Sequence, residues 1–152
     1  MIPFYSFSEG SEGYVKMTIR SATEERQHLD LIDALVVNLQ QRGYESIRAG
    51  HLEGFASLRP EPIYSTEHDH HFVPDVMAEK DGRKVLFEVE TEGSLDAPSA
   101  RAELKTFAVY ASENQVLYYI VVPDNVRKKA EAMLAMIPER RQRESFVLSM
   151  PA

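Results

Sequence analysis

The apolar positions of this chain fall into two periods, and the switches between them mark its elements. Leu29, Ile32, Leu35, Val36 and Leu39 recur at helical spacing. Ser21 and Glu24 precede them with capping-box spacing, and Gly43 follows as a C-terminal stop. Together they predict a helix over roughly 22–42. "ESIRA" then reads as a short strand, and residues 50–71, with glycine, two prolines and a histidine run, read as loop. The stretch Val73–Thr91, "VPDVMAEKDGRKVLFEVET", reads as two strands around Asp81-Gly82. A second helix starts near Asp96 or Pro98 and carries Leu104, Phe107, Ala108 and Ala111 on one face. "VLYYIVV" is a continuous apolar run of the kind found in buried central strands. Asp124 stands where it would cap a third helix reaching about Ile137, and "SFVLS" reads as a last edge strand. Residues 1–20 have weak periodicity and read as a tail or a loosely attached strand, leaving 21–152 as one domain.

The hairpin can be read to the residue. Asp-Gly is the signature of a two-residue type I′ turn, and that turn fixes the register. Lys80 then faces Arg83, Ala78 faces Val85, Val76 faces Phe87 and Pro74 faces Val89. That side is apolar apart from the turn and should pack against a helix. The other side sets Glu79 across from Lys84, Met77 from Leu86, Asp75 from Glu88 and Val73 from Glu90. Like charges placed directly opposite destabilise a strand pair. Three acids on one face therefore need a reason. They sit at a solvent-washed strand end, or they share protons or pair with Arg101 or Lys105, or they hold a divalent cation of the Mg²⁺ or Mn²⁺ type.

Composition narrows the classes. A net charge of −7 argues against broad nonspecific binding to nucleic acid, but not against a local site in which a metal offsets the acids. The absence of Cys removes disulfides and thiolate zinc sites. No apolar run approaches the roughly 20 residues of a membrane span. "MIPFYSFSEGSEG" lacks the start of a signal peptide, so the expected location is cytoplasmic, with no membrane partner.

The motif "VPDVMA…VLFEVET" resembles that of the PD-(D/E)xK restriction-endonuclease-like superfamily. The resemblance implies an α/β fold with an αβββαβ core, a mixed sheet flanked by helices, and the element order above follows it. It implies that Asp75 and Glu88 bind a catalytic Mg²⁺ or Mn²⁺, with Glu90 as a further ligand or the group that orients the attacking water. It implies a divalent-metal-dependent hydrolysis of phosphodiester bonds in DNA or RNA. One departure stands out: the triplet is Glu88-Val89-Glu90, with Glu where Lys is usual. Some members work with Glu there, and others recruit a basic residue from the following helix to supply positive charge, a part that Lys105 or Arg101 would take. Glu24 or Glu25 on the first helix is an accessory candidate, because some members draw an acid from that helix.

Plainer readings stand beside these. Arg101 and Lys105 fit the wet face of a helix. The run His68-Asp69-His70-His71 fits a polar loop better than a zinc site, which usually needs four ligands, although His70 and His71 lie near enough to the motif to contact a substrate. Tyr118 and Tyr119 fit sheet core. A catalytically inactive member of the same fold, serving as a binding or assembly module or pairing as a homodimer, is the alternative to the nuclease.

Overall fold

The computed structural model describes residues 4–9 and 15–20 as backbone, and residues 21–52, 54 and 58–151 with their side chains. Two strands, β1 (Phe4–Glu9) and β2 (Val15–Arg20), open the chain and pair antiparallel in a two-stranded sheet of their own. The sequence predicted a tail or one attached strand here; of that segment, residues 1–3 and 10–14 lie outside the described residues.

Helix α1 (Ala22–Gln41) begins as the capping pattern requires, with Ser21 Oγ accepting the Glu24 N–H at 3.1 Å. The chain leaves it through Gly43, whose φ of +80° suits glycine. Its buried face is His28, Leu31, Ile32, Leu35, Val36 and Leu39. Leu29, predicted on that face, is only half-buried, and His28 and Leu31 take the inward positions.

Strand β3 (Glu45–Arg48) follows as predicted. The segment expected to be loop contains a second small hairpin, β4 (Ile63–Ser65) with β5 (His70–Phe72). Alternation over three residues is too short a signal to separate from loop, and inward Ile63 and Phe72 provide the burial that fixes it. Residues 53 and 55–57 of that stretch lie outside the described residues.

Strands β6 (Val76–Lys80) and β7 (Arg83–Val89) form the predicted hairpin. Asp81 and Gly82 both have positive φ, +52° and +77°, as a type I′ turn demands. The register is the predicted one from Lys80↔Arg83 to Val76↔Phe87. There the ladder stops. The expected pairs Asp75↔Glu88, Pro74↔Val89 and Val73↔Glu90 do not form, because Pro74 has no N–H and the chain bends at Asp75.

A short helix, α2 (Glu92–Leu95), precedes α3 (Ala100–Asn114). The predicted start at Asp96 or Pro98 is early by a few residues for α3, and the separate α2, closed by the capping box of Thr91 and Ser94, was not foreseen. Strand β8 (Leu117–Pro123) runs parallel to β7, the outcome expected of a helical crossover between two strands of one sheet. Asp124 does not cap the third helix by its side chain: residues Asp124–Val126 form a 3₁₀ turn, and α4 covers Arg127–Ala135. Strand β9 (Ser145–Met150) ends the sheet as a parallel edge strand.

The main sheet is mixed and five-stranded, in the order β3-β6-β7-β8-β9. One face packs Val76, Ala78, Val85, Phe87, Val89 and Val121 against α1. The other packs Met77, Leu86, Tyr118, Ile120 and Val122 against α3 and α4. The domain is thus a three-layer α/β arrangement with β7 buried on both faces. Among the described residues no helix is long and apolar enough to cross a membrane.

Candidate functional site

The open end of the β6–β7 hairpin holds the acids, and side chains replace the missing ladder there. The Asp75 N–H donates to Glu88 Oε1 at 3.0 Å, and the Val89 N–H donates to Asp75 Oδ2 at 2.8 Å. Asp75 and Glu88 are therefore neighbours across the strands, as predicted, but they are joined by side chain–backbone bonds and not by a register pair. Just past β7, the Glu90 N–H donates to the Val121 carbonyl of β8 at 2.8 Å. Ser94 Oγ of α2 donates to Glu90 Oε2 and also accepts the Thr91 N–H. The capping box of α2 thereby fixes the Glu90 carboxylate as well as the helix start.

All three acids are buried: Asp75, Glu88 and Glu90 expose only 6–7% of their surface. The solvent-washed strand end considered for them is excluded by this burial. Glu88, Glu90 and Glu103 each bring a carboxylate oxygen to within 4.8 Å of the others'. Glu103 comes from α3, which packs on this face of the sheet. Three oxygens from the end of β7, the residue just past it and a facing helix suit a hard cation such as Mg²⁺ or Mn²⁺.

Asp75 lies outside that set of three and faces two histidines. His28 Nε2, on α1, is 3.2 Å from Asp75 Oδ2, and His51 Nε2, in the loop after β3, is 2.9 Å from Asp75 Oδ1. The two rings meet edge to face with centroids 5.2 Å apart. Burial alone would raise the Asp75 carboxyl, but the charge and hydrogen bond of His28 and the hydrogen bond of His51 hold it well below the usual carboxylate range. Glu88 goes the other way. Burial, and then the charges of Asp75, Glu103 and Glu90, push its carboxyl well above the ordinary value. Burial and the same acids also raise the phenol of Tyr118, which sits under them with its ring tilted against Phe107.

The remaining predicted residues spread out. Lys105 is exposed and pairs with Glu67 at 2.8 Å, and Arg101 is exposed on the same helix. Glu24 reaches toward the site from α1: a Cβ on Gly93 would come within 2.8 Å of its Oε2, so its carboxylate lies over α2. Glu25 is half-buried in the same turn, its N–H bonded to the Ser21 carbonyl. His70 is buried edge-on against Phe72 at 4.6 Å, and His71 lies against Tyr64, both in the β4–β5 hairpin. Tyr118 is buried in the sheet core as expected, and half-buried Tyr119 stacks on Phe87 at its margin.

Sequence reading missed His28, His51, Glu103 and Ser94. His28 had a signal, since it stands four and seven residues before Ile32 and Leu35, on the apolar stripe. Glu103 lies three residues after Ala100 and four before Phe107, an acid in line with a buried face. His51 carries no such mark, and only the fold brings it to Asp75. Comparison of the chain with protein-family models, with curated proteins and with solved structures finds no match.

Proposed function

We propose that the protein is a divalent-metal-dependent hydrolase of phosphodiester bonds in nucleic acid, built on a restriction-endonuclease-like core. The observation that carries the reading is the cluster of buried Glu88 and Glu90, at the carboxyl end of β7, with half-buried Glu103 from α3. Ligands of open α/β sheets collect at the carboxyl ends of parallel strands, and β7 and β8 are such a pair. Buried like charges are costly unless they are protonated or paired. Here the cost falls on the Glu88 carboxyl, which a cation would restore to its ionised form.

When bound, Mg²⁺ or Mn²⁺ would supply an acidified water and positive charge beside a phosphate. The chain's own residues do the rest. Glu88, Glu90 and Glu103 would hold the ion, the Asp75 N–H fixes Glu88, and Ser94 fixes Glu90. Such a site also accounts for a phosphodiester approaching a protein of net charge −7, because the local charge is set by the ion.

The test is a pair of measurements on the purified chain. Calorimetry should find a Mn²⁺ site that Glu103→Gln and Glu88→Gln remove. A panel of single-stranded, duplex and branched DNA and RNA should be cut with Mg²⁺ or Mn²⁺ and left intact with chelator. Metal binding without any cutting would favour the inactive binding module, a reading supported by the engagement of Lys105 with Glu67. No metal binding and no cutting would end the hydrolase reading.

A further inference from the structure

The five-stranded sheet has two edges, β3 and β9, and only one of them is protected. An edge presents unpaired backbone N–H and C=O groups, which proteins blunt with charge, proline or a bulge. The β3 edge is blunted in this way. Its register shifts between Glu45 and Arg48, Ser46 has φ of +52°, and both ends of the strand are charged. The β9 edge has no such device. Its six residues, Ser-Phe-Val-Leu-Ser-Met, carry no charge and no proline, and its ladder to β8 runs without a shift from Ser145 to Met150. Among the described residues no strand pairs with its outer side. The side of β9 turned toward α1 is also apolar: Phe146 is 43% exposed there, and Leu148 and Met150 are half-buried. A row of rings runs out of the core to this edge. Tyr44, Phe87, Tyr119 and Phe146 follow one another with centroids 6.1, 5.5 and 5.5 Å apart.

We propose that β9 is a homodimerisation strand, paired antiparallel with β9 of a second copy about a two-fold axis through Leu148. The two five-stranded sheets become one sheet of ten strands. A two-fold axis perpendicular to the sheet keeps every side chain on its own face. Phe146 therefore comes opposite Met150 of the partner copy, Val147 opposite its Ser149, and Leu148 opposite its own counterpart. The apolar side chains of the two copies join into one patch, and both aromatic rows end on it. The two edges together select this occupant. Pairing β9 with β3 of the next copy would build an open chain of molecules, and the bulge and charges of β3 oppose it. Pairing β9 with β9 closes. Charge is complementary at the ends of the seam: exposed Arg143 precedes β9, and exposed Asp124 follows Pro123, the residue level with Met150. The antiparallel sense brings these opposite ends together. On the α4 face, Arg127 donates to Ser149 Oγ at 2.9 Å and to Glu131 at 2.6 Å, so its charge is offset beside the seam. Strand addition of this kind draws affinity from main-chain hydrogen bonds and specificity from alternate side chains. The carboxyl ends of the two β7 strands point in opposite directions in such a dimer, so each acid cluster stands alone and the pairing is independent of the hydrolase reading.

The test uses the full chain in chelator. Analytical ultracentrifugation should find a dimer at micromolar concentrations. Phe146→Lys should weaken dimerisation by about a hundredfold while the far-UV spectrum stays that of the parent. The chain has no Cys, so single substitutions report the register directly. Opposed residues hold their Cβ atoms about 4.5–5.5 Å apart, close enough for a disulfide after a small adjustment. Leu148→Cys should therefore cross-link two copies rapidly under mild oxidant. Met136→Cys, at a site 62% exposed on the far end of α4, should not. A parent that stays monomeric up to about 100 μM overturns the proposal. So does growth beyond the dimer with concentration, which would mean open pairing. A Phe146→Lys variant with parental affinity would put the interface elsewhere, and Leu148→Cys cross-linking no faster than Met136→Cys would overturn the register. If Phe146→Lys fails to fold, the two cysteine variants decide by themselves. None of these readouts involves Mn²⁺ or cutting, so the hydrolase reading stands or falls separately.

Discussion

The two ends of the β6–β7 hairpin obey different rules. At the turn end, Asp81 and Gly82 take the dihedrals of their turn type, Glu79 faces Lys84, and both members of that pair meet solvent. The register there follows from the turn alone, although Lys80 and Arg83 also reach out to Arg42, Gln115 and Glu144. At the open end, Asp75 and Glu88 are buried side by side, and the backbone ladder gives way to side chain–backbone bonds. Beyond those two bonds, the partners of the acids come from distant elements: α1 brings His28 and a loop brings His51 to Asp75, while α3 sets Glu103 beside Glu88. The same two strands therefore carry a half whose register is set by local turn chemistry and a half arranged by tertiary structure, and the candidate site lies in the second.

The contrast breaks most sharply at Asp75. Removing its charge leaves two imidazole N–H groups and the Val89 N–H facing an amide. Loss of one partner from a buried charged pair costs about 3 kcal/mol or more. Asp75→Asn should therefore lower metal-free stability by that amount, a drop of roughly 10 °C in Tm for a chain of this size. Glu88→Gln should be neutral or stabilising in the same buffer, because the Glu88 carboxyl is already driven toward its neutral form. Relief of repulsion alone would have made both substitutions harmless. Chemical denaturation of the two variants in chelator separates these accounts: equal stability would mean that the histidines do not hold Asp75.

A smaller effect should appear in the pH dependence, and the two acids give it opposite signs. Asp75 has a lowered carboxyl in the folded chain, so its stabilisation is present above the unfolded value of about 3.9 and is lost as pH falls further. Glu88 has a raised carboxyl. Its unfolded form ionises above about 4.3 while the folded form does not, so stability declines as pH climbs from there toward the folded value. Metal-free protein should thus lose stability from mildly acid toward neutral pH. Glu88→Gln should flatten that decline, and Mn²⁺ should oppose it. A decline of the same slope in Glu88→Gln would assign it to another group.

The same division explains what could be read from the chain. The helix from Ser21, the turn, the register of the hairpin and the parallel β8 follow from local periodicity, capping and turn chemistry, and these were legible. So was the proximity of Asp75 and Glu88, which the turn dictates from a distance of six residues or so along each strand. Their burial was not, since it depends on which elements close over the strand end. The small β4–β5 hairpin escaped because its strands are three residues long. The partners of the acids escaped for a further reason. Periodicity is read by looking for apolar residues, and His28 and Glu103 are polar residues on apolar faces, visible only if the stripe is drawn first and its exceptions are taken as candidates.

The mildest perturbation belongs at the turn. Gly82 has φ of +77° with nothing within 4 Å of where a Cβ would stand, so alanine meets no clash and pays only for its backbone conformation. A left-handed conformation costs a residue with Cβ about 1 kcal/mol. Gly82→Ala should lose about that much stability and nothing else. The turn end does not touch the acids, so Mn²⁺ affinity and any cutting activity should equal the parent's once the protein is folded. A loss of metal affinity in Gly82→Ala, measured well below its Tm, would show that the register set at the turn is what positions Asp75 against Glu88. Intact affinity would show that the histidines and α3 hold the open end by themselves, even when the turn that aligns the strands is strained.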